Sequence, residues 1–476
     1  MLFRSPSARL ARAMALSRVL VANRGEIAVR IIRACADEGI ESVAIVSEAD
    51  RDSMAAHLAD RFVCIGPGPS TESYLDINRV MQAAVATGCD ALHPGYGFLA
   101  ERPELAEACV ENDIIFIGPS ADTIRRGGDK IQARAVAESI GISTGAGSAA
   151  LESVEQAREL AEAIGVPVLL KAAAGGGGRG MVLVNSMSDL DERFASASNE
   201  ALQAFGDGRL YVEKFITQAR HVEVQILADT HGNVIHLGER DCSAQRRYQK
   251  VVEEAPAVSI PMAVREELHI SAVELCRALD YVGAATVEFV VDAITGAYAF
   301  LEVNTRVQVE HPVTELVTGV DIVREQLRIA AGEPLSVTQA DVRLTGHAVE
   351  CRVNAEDARN NFMPAPGRVT RWIPPQGGGV RIDSHVYGGY LIPPYYDSMI
   401  AKVLTLGSDR DDALVRMDRA LRHLTIDGVT TNIDFLRGVI ADEEFVAQQH
   451  HTRWVEQSFL PRWVEPSHAH TAEETP

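Results

Sequence analysis

The chain reads as an α/β protein, α+β overall, with an N-terminal parallel-sheet region, a central region of hairpins and a C-terminal region rich in β-strand. Three observations predict this. Apolar strand-like runs alternate with amphipathic helical runs over residues 18–130, the rhythm of a parallel sheet covered by helices. Residues 131–340 open on a helical segment and hold two hairpin-like regions. Residues 346–458 carry the strand runs HAVECRVNA and GRVTRWI and then a closing helix, DDALVRMDRALRHL. With 476 residues and 46% hydrophobic content, the chain can bury the cores of roughly two to four domains.

Taken in order, residues 1–17 (MLFRSPSARLARAMALS) contain Arg and Ser but no Asp or Glu. That composition suits an organellar transit peptide, but a disordered extension, or an upstream start codon with Met14 as the true start, is the preferred reading, with a cytoplasmic protein. SRVLVAN is a strand, Ile27, Ile31, Ile32 and Cys35 recur at helical spacing, and SVAIVS is the next strand. The turn Asn23-Arg24-Gly25-Glu26 lacks the second and third glycines of a dinucleotide fingerprint, which argues against a classical NAD site. A second turn, His93-Pro94-Gly95-Tyr96-Gly97-Phe98, is too rich in glycine and aromatics for a plain linker, and IIFIGPS is a further strand. A helix follows over Ile131–Ile140. A boundary is expected near Pro334–Gly346, and residues 464–476 read as a disordered tail.

The formal charge of −21 argues against a nucleic-acid partner, which needs clustered Lys and Arg. No apolar run reaches the roughly 18 residues of a membrane span. Seven cysteines without a C-x-x-C pair fit reduced thiols. Of the 45 basic residues only Lys130, Lys171, Lys214, Lys250 and Lys402 are lysine. Arginine's planar fork replaces a compact ammonium poorly at a phosphate, so these positions are candidates for chemistry, with chance retention at surface sites as the alternative.

Four local patterns carry chemistry. PVLLKAAAGGGGRGMVLV is a strand, four glycines and a strand; it is not a P-loop, and its backbone N–H groups, with Lys171 and Arg179, suit a phosphate lid better than a bare hairpin tip. Residues 286–304 read as a hairpin closed by Ile294-Thr295-Gly296, which pairs 293 with 297 and sets Glu288 opposite Glu302. With Asn304 on the same face they form an oxygen donor set suited to Mg2+. If the strand runs on extended, Arg306, Gln308 and Glu310 continue that face as anion clamp and base. Finally, RDCSAQRRYQK (240–250) concentrates four cations, either for an anionic substrate or as partners of Glu253 and Glu254.

Together the runs ANRGEIAVRIIRA, HPGYGFLAE, KAAAGGGGRGM, RHVEVQ, RDCSAQRRYQKVVEEAPA, EVNTRVQVEHPVTE, GHAVECRVNAED and PPYYDSMI resemble the biotin carboxylases of the ATP-grasp superfamily, in family order over about residues 18–457. The resemblance implies an ATP-grasp fold: a Rossmann-like N-terminal domain, a mobile lid over about 144–217 and a β-rich C-terminal domain. It implies that Lys130 and Lys171 hold ATP phosphates beneath Gly177 and Gly178. Glu213, Lys214, Phe215 and Ile216 form the adenine-side hinge, and His221 and Tyr248 touch nucleotide, although Tyr248 stands where the pattern often has His. Glu288, Glu302 and Asn304 bind Mg2+ (or Mn2+). Lys250, Arg306 and Val309 cradle bicarbonate, Glu310 deprotonates it, Arg352 stabilises the biotin enolate, and Tyr96 and Gln308 line the biotin pocket. Ala173 and Ala174 replace the usual Ser-Gly of the flap.

The implied reaction uses ATP and bicarbonate to carboxylate biotin through carboxyphosphate. No lysine is flanked by Met and none follows Lys402, so biotin is expected on a separate carrier protein, with a separate carboxyltransferase subunit. The assembly expected is an acyl-CoA carboxylase (acetyl-CoA first) or a pyruvate carboxylase, with this chain a homodimer. Rival readings are another ATP-grasp ligase joining a carboxylate to an amine, and a non-catalytic nucleotide-binding regulatory subunit. Lys402 receives no role.

Overall fold

The structure, a computed structural model, describes residues 16–145, 151, 153–172 and 181–464. The predicted α/β class holds. Strands Arg18–Val21 (β1), Glu41–Val46 (β2), Arg61–Cys64 (β3), Ala91–His93 (β4) and Ile115–Phe116 (β5) form a parallel sheet in the order β3-β2-β1-β4-β5. The helix Gly25–Asp37 buries Ile27, Ile31, Ile32 and Cys35, the stripe read from the sequence. Leu16 is buried and the Ser17 hydroxyl donates to Asp90 at 2.5 Å, so the expected 1–17 extension is two residues too long at its C-terminal end. Val464 likewise ends a helix rather than beginning the tail.

The two glycine-rich turns lock together. The Asn23 amide donates to the carbonyls of Pro94 and Tyr96 at 2.7 and 2.8 Å. Gly95 has a φ of +62°, and a Cβ there would lie 2.9 Å from that amide nitrogen, so both the turn and the contact require glycine. The lock fixes Tyr96 beside Glu26, to which its hydroxyl donates a short hydrogen bond.

A small antiparallel sheet follows, with strands Val168–Ala172 (β6), Met181–Val184 (β7) and Leu210–Lys214 (β8) in the order β7-β6-β8. The helices Val154–Ile164 and Leu190–Phe205 cover it around a core that includes Leu170, Val184 and Val212. Gly177, Gly178, Ala173, Ala174 and Arg179 lie outside the described residues.

The largest sheet has eight antiparallel strands: Ala219–Ala228 (β9), Val234–Arg246 (β10), Gln249–Ala255 (β11), Gly283–Asp292 (β12), Tyr298–Asn304 (β13), His347–Asn354 (β14), Val380–Ser384 (β15) and Met399–Gly407 (β16). Their order is β13-β12-β9-β10-β11-β14-β16-β15, so strands from beyond residue 346 pair directly with β11. Val222, Val224, Val287 and Phe289 face a core built on the helix Met262–Ala278, which turns His221, Glu223 and Glu288 to the opposite face. Val349 and Cys351 are likewise in an apolar core, leaving Glu350 and Arg352 on the polar side.

Three local expectations are corrected. GRVTRWI is not one strand: Gly367–Arg368 and Arg371–Ile373 pair with different partners. The helix Arg410–His423 does not close the region, because Ile433–Ala441 follows it. The hairpin closes on Asp292 and Ala297, not 293 and 297; a bulge between Glu288 and Phe289 then restores the predicted register, Glu288 opposite Glu302.

Candidate active site

All the site residues read from the sequence, Gly177 and Gly178 aside, line one cleft of about 2080 Å³. It runs from the small sheet, across the polar face of the eight-stranded sheet, to the Asn23–Phe98 turns.

At the end nearest the small sheet Asp129 caps the helix Lys130–Ser139, accepting from the backbone N–H groups of Ile131 and Gln132, and so sets Lys130 on the first turn. The Lys130 ammonium meets Glu302 at 2.8 Å. Lys171 on β6 pairs with Glu213 on the neighbouring β8. Lys214 points elsewhere: its ammonium donates to the carbonyls of Gly165 and Val166 at 2.9 and 3.3 Å, leaving its backbone to face the cleft. Tyr248 sits at the β10–β11 turn with φ +63°, is 60% exposed and lines the cleft.

In the centre, strand register sets carboxylates side by side. Glu302 lies opposite Glu288, and Glu288 opposite Glu223. Three like charges abreast are unstable without compensation. Lys250 supplies it: its ammonium is 2.5 Å from Glu223, 3.1 Å from Glu288 and 2.5 Å from Glu310. Arg240, fully buried, meets Glu223 at 2.6 Å. Two of the cluster's four cations, Arg240 and Lys250, therefore hold the site's carboxylates, and neither pairs with Glu253 or Glu254 as the alternative reading had it. Those two pair instead with Arg352 and with Arg410 and His347. Arg246 and Arg247 turn away to Asn361.

The strand does not run on from Glu302 to Glu310 as expected. It stops at Asn304, the chain bends, and Glu310 becomes the residue before the helix His311–Thr318, with Pro312 in the first turn. The bend carries Gln308 and Glu310 back over Glu288: the Gln308 amide donates to Glu288 at 3.0 Å. Arg306 is steered aside to Glu101 at 3.1 Å and donates to the Asn304 carboxamide oxygen at 3.2 Å. On the far side of Glu310, Arg352 lies 3.0 Å away and also holds Glu253.

Burial pushes the Glu310 carboxyl up, but Lys250, Arg352 and Arg240 together outweigh it and hold it well below the usual range. Glu288 is held low in the same way, against burial, by Lys250 and His221. Burial and the neighbouring Glu310 push Glu223 up. Glu253 is pushed up to about 7, chiefly by burial with Glu310 adding to it and Arg352 opposing. A carboxyl whose folded pKa is raised contributes stability below its unfolded value of 4.5 that is lost as pH rises through about 7. Glu253→Gln is therefore expected to flatten the fall in stability between those limits. Melting curves of both proteins across the window check this, and parallel curves would contradict it.

A hard divalent cation such as Mg2+ needs converging oxygen donors. Glu288, Glu302 and Asn304 share one face and supply oxygen donors of that kind, although here the Asn304 nitrogen faces Glu288 at 2.9 Å and its oxygen accepts from Arg306. His221, Glu223 and Glu288 also bring ligand atoms within 4.8 Å of one another, but Glu223 is already committed to Arg240 and Lys250. The oxygen set fits a hard divalent cation better.

Sequence reasoning missed Glu223, Glu101 and Glu253. Glu223 had a signal: in RHVEVQ the polar residues His221, Glu223 and Gln225 alternate with valines, and Glu223 and Gln225 are fully buried, so the strand presents a polar face to the interior. Among the described residues no helix is long and apolar enough to cross a membrane.

Comparison with known proteins agrees with this arrangement. Residues 15–124 match the family described as biotin carboxylase, N-terminal domain; residues 129–338 match the carbamoyl-phosphate synthase L chain, ATP binding domain; residues 350–457 match the biotin carboxylase C-terminal domain. The chain is 50% identical to biotin carboxylase 1 of Bacillus subtilis (strain 168) over 93% of its length and 98% of that protein's. The biotin carboxylase–β,γ-ATP complex from Campylobacter jejuni superposes with a TM-score of 0.88 at 44% identity, over 94% of this chain and 99% of that one. The biotin carboxylase domain dimer of the Hydrogenobacter thermophilus 2-oxoglutarate carboxylase, a complex with MgADP, ADP and bicarbonate, gives 0.86 at 45% identity, over 93% and 98%. Fold, site and sequence agree that the chain belongs to the biotin carboxylase family of ATP-dependent ligases.

Proposed function

We propose that the chain uses ATP and bicarbonate to carboxylate biotin borne on a separate carrier protein, the first half-reaction of a multi-subunit carboxylase. One observation carries the reading. Glu310 is clamped between the ammonium of Lys250 and the guanidinium of Arg352, where the nucleotide end of the cleft meets Tyr96. A base flanked by two fixed cations suits an anion that must lose a proton and then attack.

In this reading Lys130 and Lys171 hold the ATP phosphates. Glu213, Lys214, Phe215 and Ile216 line the adenine side, and His221 and Tyr248 complete the nucleotide contacts. Glu288, Glu302 and Asn304 hold Mg2+ (or Mn2+), which when bound neutralises charge on phosphate oxygens. Lys250, Arg306 and the Val309 backbone orient bicarbonate, and Glu310 takes its proton. The bicarbonate oxygen attacks the γ-phosphorus, ADP leaves, and the resulting carboxyphosphate divides into CO2 and phosphate. Phosphate accepts the N1 proton of biotin; Arg352 balances the enolate while its nitrogen bonds to CO2, with Tyr96 and Gln308 lining the pocket.

A homodimer is proposed, as in the Hydrogenobacter thermophilus domain dimer. So is work in a reducing, cytoplasmic compartment, which the seven unpaired cysteines support. The carboxyl acceptor, acetyl-CoA or another acyl-CoA, or a 2-oxo acid such as pyruvate, is set by the carboxyltransferase partner.

The decisive assay is bicarbonate-dependent ADP release with and without free biotin. Stimulation by biotin is expected; indifference to it refutes the reading. Arg352→Ala is expected to abolish that stimulation. Biotin carboxylation at the wild-type rate would remove Arg352 from its role.

A further inference from the structure

The fifth lysine, Lys402, is fully buried in the middle of β16. An unpaired ammonium in such a place is costly, so its partners are informative. It lies opposite Arg352 on β14 and opposite Asp383 on β15. Two cations abreast have no structural merit of their own, and a leucine or methionine would fill a sheet interior at lower cost. What the ammonium reaches is specific. It donates to the Val309 carbonyl at 2.9 Å, and it pairs with Glu26 at 3.0 Å and with Asp383 at 4.0 Å. The oxygen of Glu26 that receives it, Oε1, also accepts the Tyr96 hydroxyl. One buried ammonium thus joins the residue just before Glu310 to the tyrosine across the cleft. These two segments lie 213 residues apart in the sequence and share no strand.

We propose that Lys402 is a positioning residue for bicarbonate and biotin, setting the Val309 backbone and, through Glu26, the Tyr96 ring in one rigid frame. The proposal rests on the biotin carboxylation reading above. Lys402 reaches neither Lys130 nor Lys171, so its removal leaves nucleotide binding alone. A lysine that served only to stabilise the sheet would, when lost, lower the melting temperature and the active fraction without favouring one substrate.

The test is steady-state kinetics on the full chain for Lys402→Met and for Glu26→Gln, the second being nearly isosteric and leaving the ammonium in place. Loss of a charge-assisted contact predicts a KM for bicarbonate and for free biotin raised about tenfold in each variant, with the KM for ATP within about twofold of the wild type. Bicarbonate and biotin KM values unchanged in a folded variant overturn the proposal, as does an equal rise in all three. If Lys402→Met does not fold, Glu26→Gln alone decides by the same criteria. The wild-type protein separates the two levels: if its ATP cleavage ignores biotin, the carboxylation reading fails, whereas biotin-stimulated wild type with unaltered variants sinks only the role of Lys402.

Discussion

Glu310→Gln is expected to lower bicarbonate-dependent ATP cleavage by about 10²- to 10⁴-fold, the range of a positioned general base. The substitution keeps shape and one acceptor oxygen and removes only basicity and charge. Glu310 precedes the helix His311–Thr318, whose electropositive end favours a carboxylate there, and it is only 2% exposed. Lys250, Arg352 and Arg240 hold it ionised against burial. A carboxylate held so low is a weak base toward water. Its leverage comes from the same cations, which also lower the proton affinity of a bicarbonate placed among them. The proposed nucleotide contacts stand apart, since Lys130 answers to Glu302 and Lys171 to Glu213. A thermal shift on adding ATP should therefore survive in the variant while ADP release collapses. Residual cleavage within a few-fold of wild type would mean that the proton leaves by another route.

Much of this site was legible in the sequence because strand periodicity and lysine scarcity act locally. Glu288 opposite Glu302 followed from counting residues across a hairpin, and it held although the turn itself differs by one position. The bulge that compensates is a tertiary choice, made so that Phe289 and Phe300 both enter the core. The run from Glu302 to Glu310 misled for the opposite reason. Its alternation of polar and apolar residues imitates a strand, but the alternation after Asn304 serves a bend over a polar sheet face, with Pro312 starting the next helix. The pairing of β11 with β14 joins residues about a hundred apart, which no local pattern encodes. The role of Lys402 was hidden for that reason: its partners Glu26 and Val309 lie far away in the sequence, and Asp383 on the neighbouring strand.

Lys250→Met should be the most destabilising single change in the cleft, about 3–5 kcal/mol, because it removes one partner of a buried ionic assembly and leaves carboxylates facing each other. Only Arg240 and Arg352 would remain to serve Glu223, Glu288 and Glu310, with His221 beside Glu288. The pH dependence distinguishes this cause from lost packing. In the wild type Glu288 and Glu310 are held below their ordinary range, so their contribution is present above pH about 4.5 and fades only as pH falls through the low folded values. Without the ammonium, burial dominates and the folded pKa values rise above the unfolded ones; stability is then full below about pH 4.5 and is lost as pH rises. The gap between wild type and variant should therefore be widest at neutral pH and narrow toward pH about 5. Glu223→Gln added to Lys250→Met should recover part of the loss, by about 1–3 kcal/mol of coupling, since Glu223 is the carboxyl that burial and Glu310 already push up. Denaturant unfolding of the two single variants and the double variant at two pH values measures both effects. Strict additivity with a gap independent of pH would show that Lys250 fills space there and does not hold the carboxylates together.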